Sequence, residues 1–304
     1  VSDAFPDEHA PLNGQTFEVC YRLIAQGIHD ETPTSKADPF HIDPIYKKMV
    51  DEAMAPLDKW RTYAHDGDPA LLPTVAGNGT PWADLANIQI KHLHDLPAEV
   101  DSIGESLRWN GKASEGYLAY LKRISSRLQS YGGDTGYVRQ AAALLEAAFA
   151  VQVAFKKDLL ELARGAYDKL EAIHDGRHVD DIGTFCVVIG GLALGELGGA
   201  IAAGTTITKH VFGKAVTALA SYAFGDPTQK LIMHGDTPQK IMKSFDTALG
   251  QIVNGYANAA IHVSQEMDDL LTDLRAASDE SSLPPVPSVD TGNTPSFTRE
   301  LFPR

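Results

Sequence analysis

From Val138 to Ile173 the chain is rich in alanine and leucine. Its larger apolar residues, Leu145, Phe149, Val153, Leu159, Leu160, Leu162, Tyr167, Leu170 and Ile173, recur at helical spacing. At ~1.5 Å of rise per residue, one helix over this stretch is on the order of 50 Å long. A compact globule has no need of such a length, so other long helices are expected to lie alongside it. A second run meets that need. Ile241, Phe245, Leu249, Ile252, Tyr256, Ala259, Val263, Met267, Leu270 and Leu274 keep steps of three or four, with Thr237 as the cap and Pro238 as the opening residue.

Shorter elements fill the remainder. Helices are expected around Phe17 to Ile28 and Pro44 to Tyr63, followed by a Gly/Pro/Asp/Asn-rich loop before residue 81. Leu85, Ile88, Leu93, Leu96, Val100, Ile103 and Leu107 form one apolar stripe, within which Pro97 implies a kink or a restart capped by Asp95. After Gly111 the stripe resumes as Ala113, Tyr117, Leu121, Ile124, Leu128 and Tyr131, up to a Gly-Gly-Asp-Thr break at residues 132–135. No strand-period alternation runs for any useful length. The expected fold is therefore all-α, an elongated bundle of long antiparallel helices. Five regions follow: 1–80 with short helices and loops, 81–176 as a helical hairpin, 177–236 as an apolar Gly-rich segment, 237–276 as a long helix, and 277–304 with the composition of a disordered tail.

Charge narrows the partners. Forty acidic residues against 26 basic ones leave the 304-residue chain at −14, which repels a nucleic-acid backbone. The two cysteines, Cys20 and Cys186, are far apart and have no Cys-x-x-Cys spacing, so free thiols are expected. The acidic, proline-broken start lacks the basic and apolar regions of a secretory signal peptide, and any export is expected to use another route.

Few residues offer chemistry. His174 and His178 are four apart, and His92 and His94 form a second pair, but Gly176 falls where the first pair's helix ends, so no metal site is assigned. Gly-x-Ser-x-Gly, phosphate-loop, Gly-x-Gly-x-x-Gly and His-Glu-x-x-His motifs are all lacking, and no enzyme activity or cofactor is expected.

The corner between residues 85–107 and 113–131 is Trp109-Asn110-Gly111. Glycine there supplies the backbone freedom of a helix C-cap or tight turn, and an indole can pack the open end of a helical hairpin. Farther on, Tyr167 and Glu171 stand on adjacent turns of one helix face. An apolar helix, Trp-x-Gly, a second apolar helix and then Tyr-x-x-x-Glu, in that order, resemble the WXG family of type VII (ESX) secretion substrates. The resemblance covers Leu85 to Glu171 and points to the longer, multi-element relatives. It implies an export signal at Trp109, Gly111, Tyr167 and Glu171. It also implies the type VII machinery or a helical protein as partner, and a cytoplasmic protein that becomes secreted or surface-exposed.

The apolar stretch from Ile182 to Gly204 supports a second reading. Gly191, Gly195 and Gly199 are four apart, which on a helix allows close approach of another helix, while Val187, Ile189 and Leu194 supply apolar surface around the single charge of Glu196. A tightly buried segment, or one released into a membrane, both fit; a constitutive transmembrane span is long enough at about 20 residues, but Glu196 and the density of glycine argue against it. Long helix, apolar hairpin, long helix is similar in layout to the α-helical pore-forming toxins of the tripartite haemolysin type, which implies a membrane partner and leaves homo-oligomerisation open.

Overall fold

A computed structural model describes residues 4–7, 10–32, 44–65, 95–106, 112–132, 136–175, 184–185, 231–232 and 234–279. Among them are six helices: α1 (Gly14–Glu31), α2 (Pro44–His65), α3 (95–106), α4 (Lys112–Gly132), α5 (Tyr137–His174) and α6 (Pro238–Asp279). The only other regular element there is a two-residue antiparallel pair, β1 (Thr184–Phe185) with β2 (Leu231–Ile232). The class is all-α. By their contacts the helices fall into two compact units. The first holds α1, α2, α5 from Ala147 and α6 as far as Val263; the second holds α3, α4, the start of α5 and α6 from Ser264.

In the first unit, each helix follows from its caps and its apolar stripe. Asn13 caps α1 by accepting a 3.0 Å bond from the Thr16 amide, and at the other end the Thr32 amide and hydroxyl both donate to the Ile28 carbonyl. Phe17, Cys20, Ile24 and Ile28, at steps of three and four, form its buried face. On α2 the matching face is Val50, Ala53, Leu57, Trp60 and Ala64. It carries the helix through Pro56, an interior proline that removes one backbone bond and costs about 3 kcal/mol. The two helices run in opposite senses. Glu18 receives a forked bond from Arg61, Tyr21 donates to Asp58 at 2.7 Å, and His29 meets Tyr46.

Against this pair lies α5, whose buried residues occupy most of its circumference between Val151 and Ala172. Phe17 and Trp60 meet edge to face at 5.8 Å beside it, and Trp60 Nε1 donates to the Leu159 carbonyl at 3.0 Å. Gly27 faces Leu170, and Glu31 reaches His174. Numbers therefore rise together along α1 and α5. On the remaining side, Tyr256 of α6 stacks on Phe155 at 4.3 Å, while Lys59 of α2 pairs with Asp246 at 3.0 Å. α6 buries Ile241, Met242, Phe245, Ala248, Leu249, Ile252, Ala259 and Val263. Its entry depends on Gly235, which has φ +152°; a Cβ there would strike the Ile241 amide at 2.6 Å. Thr237 then caps the helix, its carbonyl accepting from the Ile241 amide at 3.0 Å and its hydroxyl from the Lys240 amide at 3.4 Å.

In the second unit, α3 and α4 pack on each other in opposite senses. Ser125 donates to the Pro97 carbonyl, and Gly104 faces Leu118 and Leu121. The helix expected to restart near Asp95 is described from residue 95 onward, with Pro97 in its first turn, where a missing amide hydrogen costs no helical bond. α4 stops at Gly132, and Gly136 then carries the chain so close to the Tyr131 carbonyl that a side chain there would collide with it. Tyr131 and Tyr137 meet edge to face at 5.8 Å across this break, and Arg127 donates to the Ala277 carbonyl of α6.

One expectation is corrected. Thr184 and Phe185, at the start of the apolar stretch that an all-α fold would make helical, are extended and pair with Ile232 and Leu231. Cross-strand backbone bonds satisfy these residues in place of a helical turn, and a β-branched and an aromatic side chain both suit that conformation.

Candidate functional site

The Tyr-x-x-x-Glu element lies on the C-terminal half of α5. Lys157, Asp168, Glu171 and His174 are exposed there, and with the half-buried Glu161 and Arg164 they line one side of the helix. Tyr167 stands at the edge of this stripe and is half-buried; Glu171, one turn on, is exposed. The Tyr167 ring is stacked on Phe5, with centroids 4.9 Å apart and planes 25° from parallel. Beside it, Arg164 pairs with Glu161 at 3.0 Å and donates through Nη2 to the Pro6 carbonyl at 2.9 Å. Burial holds the Tyr167 phenol above its ordinary range, and the charges of Glu171 and Asp168 add to the shift. The site thus comprises a phenol, a guanidinium and carboxylates on one helix side, partly roofed by residues 4–7.

At the end of α5, His174 Nδ1 lies 2.7 Å from Glu31 Oε1. The hydrogen bond to Glu31 raises the imidazole pKa first of all, and the charge of that carboxylate adds to it, with smaller contributions from Asp175 and Asp30. Because the folded value lies above the ordinary ~6.5, the pair stabilises fully below that value and the contribution is lost as pH rises through the raised one. An NMR titration is expected to place the His174 midpoint above that of an unfolded reference, and Glu31→Gln to bring it down. A midpoint unmoved by Glu31→Gln would show that the pair does not form.

The interior of α5 carries its own polar groups. Lys156, 1% exposed, donates to the Tyr63 and Ala64 carbonyls at 3.1 and 2.7 Å, with its ammonium 5.6 Å from the centre of the Phe17 ring. Asp158 is 5% exposed, and its carboxyl is pushed well above the usual carboxylate range by desolvation, reinforced by Glu161. Burial likewise pushes the free Cys20 thiol up to about 12, which keeps it protonated and unreactive. Lys156 and Asp158 were not singled out by sequence reasoning. Their only signal is two charges interrupting an apolar helix, which reads equally well as a solvated face. Phe5 and Arg164 had no signal at all.

Trp109, Asn110 and Gly111 lie outside the described residues, although α3 and α4 flank them. So do Val187, Ile189, Gly191, Leu194, Gly195, Glu196 and Gly199, and also His92, His94, His178 and Cys186. Tyr167 is on α5, separated by the break at Gly132 from the helix that follows the Trp-x-Gly corner, and in the other compact unit. Among the described residues no cluster of three or more His, Cys, Asp or Glu has metal-binding geometry, and no helix is long and apolar enough to cross a membrane. No family model matches the chain, and neither does any curated protein or solved structure.

Proposed function

We propose that the chain is a non-enzymatic substrate or accessory protein of a type VII secretion system, read by the export machinery at two places. One is the Trp109–Gly111 corner between α3 and α4; the other is Tyr167 with Glu171 on α5. The observation that carries the reading is the second element: a tyrosine and a glutamate one turn apart, the first half-buried and the second exposed, on a solvent-facing side of α5. A signal must be reachable in the folded protein, and this side of α5 is. The break at Gly132 alters what the resemblance implies. Tyr167 lies on α5 and not on the helix that follows Gly111, so each element is expected to act as a separate contact for the machinery or for a helical partner.

The test is export from a host that carries a type VII system. Trp109→Ala with Tyr167→Ala is expected to reduce the extracellular protein to background while far-ultraviolet circular dichroism stays that of the parent. Undiminished secretion of the double variant would remove the reading.

A further inference from the structure

Resting on that reading of Tyr167, we propose that residues 4–7 form a strap that covers the recognition face of α5, so that strap and partner compete for one surface. Three observations converge on it. Two contacts join the strap to α5 on this face: Phe5 stacks on Tyr167 and the Pro6 carbonyl accepts from Arg164. The segment has no regular secondary structure, and although Phe5 and Pro6 are half-buried, Ala4 and Asp7 remain exposed. Its removal therefore breaks no helix. The cover is also partial, because Glu171 is exposed beyond it and leaves a foothold from which a partner can begin to bind.

The strap's chemistry describes what would replace it. Tyr167 offers a ring face, and Arg164 offers a guanidinium donor held by Glu161. A competing segment needs an aromatic side chain for the first and a carbonyl or carboxylate acceptor for the second. That is a short extended peptide of the strap's own kind, carried by the partner. While the strap is seated, the apparent affinity of such a partner is reduced by the fraction of molecules in which it is open.

Three full-length variants test this: Phe5→Ala, Phe5→Trp and Tyr167→Ala. Two readouts are needed, nitration of Tyr167 by tetranitromethane, mapped by peptide mass, and export from the type VII host. Loss of one aromatic stack is expected to speed Tyr167 nitration by about fivefold in Phe5→Ala. Export is expected to rise in parallel, while Phe5→Trp, which keeps a ring, stays at parental values in both assays. Equal nitration of Phe5→Ala and parent would show that there is no cover. Faster nitration with unchanged export, while Tyr167→Ala abolishes export, would overturn the strap and leave the export reading standing. Parental export of Tyr167→Ala would remove the export role of Tyr167 and the competition with it.

Discussion

Trp60→Ala is expected to lower the unfolding free energy by about 3–5 kcal/mol, the range for deleting a buried aromatic side chain from a packed core. Trp60 is fully buried, packs edge to face on Phe17, and ties α2 to α5 through its bond to the Leu159 carbonyl. It therefore joins three helices at one point. Trp60→Phe separates packing from the hydrogen bond: it keeps most of the ring volume, and its loss is expected to be about 1–2 kcal/mol. Denaturant unfolding followed by circular dichroism measures both. A loss below about 1 kcal/mol for the alanine variant would mean that α1, α2 and α5 do not depend on this contact.

Lys156→Met should cost about 2–4 kcal/mol, from the loss of charge-assisted bonds to buried acceptors. The Tyr63 and Ala64 carbonyls belong to the last turn of α2, where helical geometry provides no amide partner. The ammonium supplies the missing donors and sits at the negative end of the helix dipole. Methionine has similar length and packs as well, so the measured loss reports the polar contacts. Amide exchange should localise it, with protection falling across the last turn of α2 and holding along α1. A methionine variant as stable as the parent would show that water serves those carbonyls equally well.

Local rules made much of the helical layout legible. Thr237 sits where capping chemistry requires, and the stripe of α6 from Ile241 to Val263 is turned inward, so pattern and packing agree there, whereas Ile45, at helical spacing near the start of α2, is exposed. α5 was legible in length, not in environment. Periodicity predicts one buried stripe, whereas this helix is enclosed on most sides and takes Lys156, Asp158 and Lys169 inside with it. A charge that caps another helix cannot be told from a solvated charge until the carbonyl it reaches is known. The candidate site divides in the same way. Tyr167 and Glu171 could be picked out because their spacing is local; Phe5 and Arg164 join them only through contacts between residues far apart in the chain.

The pairing of Thr184–Phe185 with Leu231–Ile232 brings two places far apart in the sequence side by side, with Phe185 as the point of departure and Leu231 as the point of return. Each doubling of the length of chain between two such joined points adds only about 0.6 kcal/mol of closure entropy. A change in the number of residues between the two strands is therefore expected to cost the pairing itself little.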